Sequence, residues 1–165
     1  MFVFELEFFL TTKIFPDDMK FEPEKLIAAA KRSLENLDTD YVDLLLLHWP
    51  DDRVPLSETM PALCELQKQG LTRNIGVSNF NIANIIEAKK YADVPISVNQ
   101  VEFHPFIKQN TLQTFLNNHH ILLEAYSPLA RGDVFDNEVI KEIADKHGIT
   151  PAQVSLAWIL SDKQR

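Results

Sequence analysis

Short apolar runs alternate with longer amphipathic segments along the whole chain. The apolar runs predict five strands, at residues 8–14, 41–47, 73–77, 96–101 and 121–125. The amphipathic segments predict helices at residues 23–36, 57–69, 82–91, 110–118 and 138–147, and a last helix from residue 151. The strands recur at intervals of roughly 25–35 residues, which is the spacing of βαβ units. The pattern therefore predicts an α/β fold with a parallel sheet.

The second predicted strand indicates how this sheet is covered. Residues 41–47 are apolar apart from Asp43, and a strand apolar on both pleat faces is typical of one buried on both sides. The chain has only four glycines, and no Gly-x-Gly-x-x-Gly sequence follows any predicted strand. This argues against a dinucleotide-binding Rossmann domain. Strict βα alternation without such a loop favours a (β/α) barrel.

Polar side chains lie at the carboxyl end of every predicted strand, either in its last residues or just after it. They are Lys13, His48-Trp49, Ser78-Asn79, the group Gln100, Glu102 and His104, and the run Tyr126-Ser127-Pro128-Leu129. The carboxyl ends of barrel strands meet at one mouth, which is where active sites of such folds lie. We therefore expect these side chains to line a common pocket.

The residues after the first two strands fit polarisation of a carbonyl group. Lys13 supplies a fixed positive charge, His48 can donate a hydrogen bond to an oxygen atom, and Trp49 offers an apolar wall to a substrate. Taken singly, a lysine at a strand end is more often a solvated cap. Metal ligation by His48 and His104 is a weaker hypothesis, because no further His, Asp or Glu has ligand spacing.

The residues after the later strands fit the binding of a planar ring that carries an amide. Ser78, Asn79 and Gln100 offer donors and acceptors suited to a carboxamide, and Tyr126 offers a flat face for stacking. Each has an ordinary alternative. Ser78 and Asn79 could equally cap the helix that follows, since both are good N-cap residues. Tyr126 could simply be a core residue.

Composition narrows the classes of function. The 165 residues are 45% apolar and 24% charged, which is typical of a globular chain long enough for one core. The formal net charge of −8 argues against nucleic-acid binding. No apolar stretch approaches the length of a membrane span. Cys64 is the only cysteine and lies on an apolar helical face, which predicts a buried thiol and fits a reducing, cytoplasmic location.

Five segments, in this order, resemble the aldo-keto reductase family. They are residues 10–13 (LTTK), 40–50 (DYVDLLLLHWP), 70–80 (GLTRNIGVSNF), 98–105 (VNQVEFHP) and 125–132 (AYSPLARG). Their order and approximate spacing match the family from residue 10 to about residue 160. The combination is highly specific, and it is most similar to small bacterial members such as the 2,5-diketogluconate reductases.

This resemblance implies a (β/α)8 TIM barrel that uses NADPH without a Rossmann domain. Lys13 and His48 fall on two of the four catalytic positions of the family, and Trp49 falls on an aromatic position of the substrate pocket. The implied cofactor-binding positions are Ser78, Asn79 and Gln100 for the nicotinamide carboxamide, Tyr126 for ring stacking, and Ser127 and Leu129 for the pyrophosphate. No metal is implied.

The resemblance also predicts an incomplete barrel, comprising about strands three to seven of eight in a single domain over residues 1–165. The catalytic tyrosine and aspartate of the family lie before the LTTK strand, in Tyr-x-Asn-Glu and Asp-Thr-Ala motifs. The twelve residues before Lys13 contain neither motif. The family's clamp for the 2′-phosphate of NADPH, with an Ile-Pro-Lys-Ser-like motif, follows residue 160 and is also not in the sequence. Loss of a general acid typically slows catalysis about 10²–10⁴-fold.

Two hypotheses of function follow. The first is an NADPH-dependent reductase of small aldehydes, ketones or keto sugars, impaired by the loss of the tyrosine and the aspartate. The second is a catalytically inactive, truncated barrel that acts as a pseudoenzyme or associates with itself through unpaired sheet edges, although the family is monomeric. A phosphate-binding isomerase barrel is a third, weaker reading, because no glycine-rich phosphate loop is visible.

Overall fold

The computed structural model describes residues 8–16 and 22–161, and strands and helices alternate there as the sequence predicts. The strands are β1 (Thr11–Ile14), β2 (Val42–Leu47), β3 (Thr72–Ser78), β4 (Ile96–Glu102) and β5 (Leu122–Tyr126). The α-helices are α1 (Pro23–Leu37), α2 (Leu56–Lys68), α3 (Ile82–Tyr91), α4 (Asn110–Asn118), α5 (Glu138–His147) and α6 (Pro151–Ser161). A 3₁₀ helix, Ala130–Phe135, lies between β5 and α5. The predicted α/β class is confirmed.

The five strands form one sheet in the order β1-β2-β3-β4-β5. β1 pairs in parallel with β2, so that Lys13 lies opposite Leu46, and β2 pairs in parallel with β3, so that Leu46 lies opposite Gly76. Sequential parallel strands joined by helices are the arrangement of a (β/α) barrel. The described residues separate into two compact units, one within Met1–Asn99 and the other within Gln100–Arg165.

In the first unit, β2 is the most deeply buried strand. All six of its residues are buried, including Asp43, which confirms the prediction of a strand covered on both faces. Leu44 and Leu46 on one face form a core cluster with Val98. On the helical side, α2 packs against α1, α3 and β3. Cys64 of α2 is fully buried, as the sequence predicts for a small apolar residue.

Two differences from the sequence prediction, beyond shifts of one residue at several boundaries, have identifiable reasons. Phe8 and Phe9 are exposed and precede the strand, and the N–H of Leu10 donates to the carboxylate of Asp43 rather than to a strand. β1 therefore begins at Thr11 and not at residue 8. The 3₁₀ helix was not predicted, because a turn that short and irregular leaves no apolar periodicity in the sequence.

In the second unit, the predicted start of α6 is confirmed. The N–H of Thr150 donates to Oε1 of Gln153 at 2.8 Å, and the N–H of Gln153 donates to Oγ1 of Thr150 at 3.3 Å. This reciprocal pair is a capping box. The helix then packs through Trp158, whose ring centroid lies 5.2 Å from that of Phe103.

The search for membrane spans covered residues 8–16 and 22–161. None of the helices there is both long and apolar enough to cross a bilayer.

Candidate active site

In the first unit, the carboxyl ends of β1 and β2 bring Lys13 and His48 together. Lys13 is the third residue of β1, and His48 follows the last residue of β2. The backbone N–H of His48 donates to the carbonyl oxygen of Ile14 at 2.9 Å, so the ladder continues one residue beyond the strand. The ring of Phe15 meets the His48 ring edge to face, with centroids 5.2 Å apart and planes at 87°. The main chain of His48 is thus held by β1, and its imidazole packs against Phe15.

The environment of His48 favours its neutral form. Burial lowers the pKa of the imidazole, and the positive charge of Lys13 lowers that pKa further. Both causes disfavour the imidazolium ion. A neutral imidazole carries one N–H donor and one acceptor nitrogen. Near neutral pH, His48 is therefore equipped to donate a hydrogen bond to a carbonyl oxygen beside a fixed cation.

Ser78 and Asn79 lie at the end of the next strand. Ser78 is the last residue of β3 and is fully buried. Asn79 has a left-handed backbone with φ of 62°, and its Nδ2 donates to the carbonyl oxygen of His48 at 3.0 Å and to Oγ of Ser78 at 3.1 Å. This amide therefore ties the end of β3 to the backbone that carries His48.

The alternative in which Ser78 and Asn79 cap the following helix is wrong. The N-cap of α3 is Asn81, whose side chain accepts from the N–H of Asn84 at 2.9 Å, while the side chain of Asn84 accepts from the N–H of Asn81 at 3.2 Å. The run Ser-Asn-Phe-Asn contains three good cap residues, and only the helix register identifies which of them caps.

The loop after β2 carries Trp49, and Arg53 anchors this loop. Trp49 is 43% exposed, as a residue at the rim of a pocket would be. Arg53 donates to both carboxylate oxygens of Asp51, at 2.7 and 3.0 Å, and also to the carbonyl oxygen of Pro16 at 3.0 Å. Arg53 thus joins the loops that follow β1 and β2. Arg53 was not predicted from the sequence, although an Asp-x-Arg spacing after a strand end is a visible signal.

In the second unit, Gln100 and Tyr126 occupy β4 and the end of β5. Gln100 is buried, at 7% exposed, and its Nε2 donates to Oε1 of Glu124 at 2.7 Å. Burial and the negative charge of Glu102 raise the pKa of the Tyr126 phenol, and Arg131 opposes this shift. Tyr126 therefore remains a neutral phenol well above neutral pH.

The segment after β5 is a tight turn. Ser127 has a left-handed φ of 50°, and its carbonyl oxygen accepts from the N–H of Ala130 at 2.8 Å. Leu129 is partly buried against the cluster of Ala130, Val134 and Ile140. The side chain of Leu129 therefore stabilises the 3₁₀ helix, and any contact that Leu129 makes with a ligand would use its backbone.

The buried His104 lies beside the half-buried Glu102 at the end of β4. Nδ1 of His104 accepts from the N–H of Phe106 at 3.3 Å, which leaves Nε2, 3.4 Å from Oε1 of Glu102, as the donor nitrogen. Over the ranges that the structure describes, no group of three His, Cys, Asp or Glu residues is placed to hold a metal ion.

Comparisons with known proteins identify the family of this chain. The sequence profile described as the aldo/keto reductase family matches residues 3–165. The chain belongs to the aldo/keto reductase family. This confirms the resemblance, and membership of this family together with the sheet order confirms the predicted TIM-barrel type of fold.

Curated relatives in the family share more than 40% identity with this aldo/keto reductase chain. It is 44% identical over 154 residues to a glyoxal reductase from Bacillus subtilis strain 168, covering 93% of the chain and 55% of the relative. It is 42% identical over 159 residues to methylglyoxal reductase DkgB from Escherichia coli O157:H7, covering 94% and 59%. The chain thus spans between half and three-fifths of the length of these relatives.

Solved aldo/keto reductases share the fold of this chain. A protein provisionally named 2,5-diketo-D-gluconic acid reductase B matches with a TM-score of 0.89 and 41% identity, over 93% of this chain and 54% of that one. An aldo/keto reductase from Klebsiella pneumoniae, solved with NADP and acetate, matches with a TM-score of 0.83 and 33% identity, over 91% and 55%. In each case the match covers little more than half of the solved chain.

Proposed function

We propose that this chain supplies the catalytic lysine and histidine and most of the nicotinamide pocket of an NADPH-dependent carbonyl reductase. The substrate class is small aldehydes, ketones and keto sugars, with methylglyoxal as the first compound to test. The names of the relatives, glyoxal reductase and methylglyoxal reductase, support this choice. We further propose the cytoplasm as its location and, as the sequence analysis expects, a single catalytic domain.

The observation that carries the proposal is a histidine with a lowered pKa beside a lysine, at the carboxyl ends of two parallel strands. In the proposed reaction, the N–H of His48 donates to the carbonyl oxygen of the substrate, and the charge of Lys13 stabilises the negative charge that develops there. Trp49 packs against the apolar part of the substrate. A bound reduced nicotinamide supplies the hydride.

The residues present fit the nicotinamide by the chemistry of their donors and acceptors. A carboxamide has one acceptor oxygen and two N–H donors, and Ser78, Asn79 and Gln100 offer a hydroxyl and two amides in return. Tyr126 remains uncharged because its pKa is raised, which suits stacking on the ring. The backbone around Ser127 and Leu129 is assigned to the pyrophosphate.

The test measures NADPH consumption with methylglyoxal and NADPH binding by fluorescence. Lys13→Met and His48→Gln should each lower turnover by at least about 100-fold, since each removes a group that stabilises the developing oxyanion. Lys90→Met, which changes an exposed lysine of α3, is the matched control and should be neutral. Unchanged turnover in both site variants would exclude these roles.

The source of the proton is tested by assaying two forms of the protein. One is the 165-residue chain alone, and the other is the chain joined to a segment that carries the family's Asp-Thr-Ala and Tyr-x-Asn-Glu motifs. We expect the second form to be faster by about 10²–10⁴-fold, the usual contribution of a general acid. Equal rates would show that these motifs do not supply the proton in the rate-limiting step.

A second candidate function is self-association without catalysis. β1 and β5 are the outermost strands of the described sheet, and Leu122 on β5 is 53% exposed. An outer strand with exposed apolar residues is a template for pairing with another chain. Sedimentation tests this candidate: a concentration-dependent dimer that lacks turnover supports it, and an active monomer excludes it.

A further inference from the structure

In the first unit, the side chain of Asn99 on β4 bonds to the main chain of the loop that follows β3. Its Nδ2 donates to the carbonyl oxygen of Phe80 at 2.9 Å, and its Oδ1 accepts from the N–H of Phe80 at 3.4 Å, a longer and weaker contact. Asn99 is fully buried, and Phe80 is 1% exposed. Buried main-chain N–H and C=O groups need hydrogen-bond partners, and one asparagine amide supplies a partner to each of these two groups.

Phe80 directly follows Asn79, whose main chain lies in the left-handed region with φ of 62°. This region is unfavourable for L-residues, although asparagine tolerates it better than most. Such a conformation persists where the surrounding structure restrains the chain on both sides. Ser78 ends β3 on one side, and Asn99 holds Phe80 on the other. The main chain of Asn79 is therefore restrained at both of its neighbours.

The main-chain conformation of Asn79 determines where its amide lies. Nδ2 of Asn79 donates to the carbonyl oxygen of His48 at 3.0 Å and to Oγ of Ser78 at 3.1 Å. Rotation of this residue into the extended region would redirect its Cα–Cβ bond and carry the amide away from these two acceptors. The restraint on Phe80 thus reaches a side chain that the proposed function assigns to the cofactor.

We propose that Asn99 is a positioning residue that holds Asn79 in its left-handed conformation and so presents the Asn79 amide to the nicotinamide carboxamide. The part that concerns the cofactor rests on the proposed function, which assigns Asn79 to that carboxamide. Asn99 acts on the main chain of Phe80, and further contacts of the Asn79 side chain are compatible with this restraint. Without Asn99, the loop would populate other conformations, and the apparent affinity would fall with the fraction of chains that remain competent to bind.

The first test uses no ligand. The side-chain NH₂ signals of Asn79 in ¹⁵N spectra should shift in Asn99→Ala, because the main chain that carries this amide is released. Val98→Ala is the matched control, since Val98 precedes Asn99 on β4, leaves the opposite strand face and packs with Leu44 and Leu46. It should lower the free energy of unfolding by leaving a cavity, yet leave the Asn79 signals in place. Equal shifts in both variants, or no shift in Asn99→Ala, would overturn the proposal.

Asn99→Asp tests the bond to the Phe80 carbonyl oxygen and also serves if Asn99→Ala does not fold. An ionised carboxylate places a second acceptor against that oxygen, whereas a protonated carboxyl group regains a donor. The Asn79 signals should therefore be displaced above the pKa of the introduced group, which burial raises, and return toward their original positions below it. The original chain at each pH is the control. A displacement that protonation does not reverse would contradict the proposal.

The second test measures the dissociation constant of NADPH by fluorescence, corrected for the folded fraction of each variant. Asn99→Ala should raise this constant by roughly three- to tenfold, the value of one hydrogen bond, and Val98→Ala should leave it unchanged. A shift of the Asn79 signals without a change in affinity would overturn the cofactor role of this restraint.

The two tests together separate failure of this inference from failure of the proposed function. If NADPH binds and Asn99→Ala changes neither the Asn79 signals nor the dissociation constant, the inference is overturned and the function stands. If NADPH does not bind the original chain, the function is overturned, and the Asn79 signals alone decide whether Asn99 holds this residue.

Discussion

In the first unit, the polar groups at the amino end of the β2–β3 pair differ in kind from those at its carboxyl end. At the amino end, Asp43 accepts from the N–H of Leu10 at 2.8 Å and from Nη1 of Arg73 at 3.1 Å. The Arg73 guanidinium also lies 4.4 Å from the centre of the Tyr41 ring. Opposite charges face each other here. At the carboxyl end, the charge of Lys13 instead disfavours protonation of His48.

From this difference we propose that the amino end contributes to stability and the carboxyl end to chemistry. Complementary charges and satisfied donors lower the energy of the folded chain without leaving reactive groups. A cation that lowers the pKa of a neighbouring histidine contributes nothing of that kind, and perturbed pKa values cluster at functional sites. In barrels, the amino ends of the strands generally serve stability and the carboxyl ends catalysis. We propose the same division for this pair of strands.

The largest expected effect comes from Gly76, between the two ends. A Cβ atom at this position would lie 2.5 Å from Cδ2 of Leu46 and 2.7 Å from the carbonyl oxygen of Val98. Since the second contact is with backbone, Gly76→Ala should destabilise the chain by about 3 kcal/mol, at the upper end of overpacking costs. Urea unfolding measures this loss.

Gly70→Ala is the matched control. Gly70 has a left-handed φ of 75° and open space around it, so its substitution adds strain without crowding. The cost should be about 1 kcal/mol. Equal losses at positions 70 and 76 would contradict the crowding argument.

The next largest effect is expected from Asp43 at the amino end. Asp43→Ala should cost about 2 kcal/mol, because it leaves the N–H of Leu10 without its acceptor in a part-buried site. The pair with Arg73 contributes little of this, since the Arg73 side chain is 62% exposed. Asp43→Asn, which retains an acceptor, should recover part of the loss. Asp40→Asn, an exposed change at the same end, is the control and should not alter thermal unfolding. A comparable loss of stability in Asp40→Asn would show that the effect comes from the net charge of the chain and not from the acceptor at position 43.

The smallest effect on stability is expected at the carboxyl end, where the substitution mainly changes the pKa of His48. Lys13→Met should raise the pKa of His48 toward its ordinary value of about 6.5, but only in part, because burial is the larger cause of the shift. Titration of the His48 Cε1 proton by NMR measures this. The exposed Lys90→Met control should leave the pKa unchanged, and a fall in the pKa of His48 in Lys13→Met would refute the proximity of the two charges.

The same variant has a consequence for stability at acid pH. A histidine whose pKa is lower in the folded state contributes stability that is present above its unfolded pKa and is lost as pH falls through its folded pKa. Lys13→Met narrows the difference between these two pKa values. The loss of stability on acidification below about pH 6.5 should therefore be smaller in the variant than in the original chain.

Much of the fold and the family could be read from local patterns in the sequence. The unbroken apolar run of β2 predicts burial on both faces, and all of its residues are buried. The Thr-Pro-Ala-Gln start of α6 specifies its own capping box, because every partner lies within four residues. The start of β1 could not be predicted in this way. Leu10 bonds to Asp43, 33 residues away, and no local signal reports such a partner.

For the candidate site, the sequence determined which side chains follow each strand, because βα alternation and strand length fix where each strand ends. The roles of Lys13, His48 and the cofactor-binding residues remain predictions. The tertiary structure alone decided what surrounds those side chains. The lowered pKa of His48, the use of Asn81 rather than Ser78 or Asn79 as a cap, and the bond from Gln100 to Glu124 all depend on contacts between strands or on the register of a helix. Hydrogen bonds and electrostatic shifts fall off within a few ångströms, so they require positions in space that residue order does not specify.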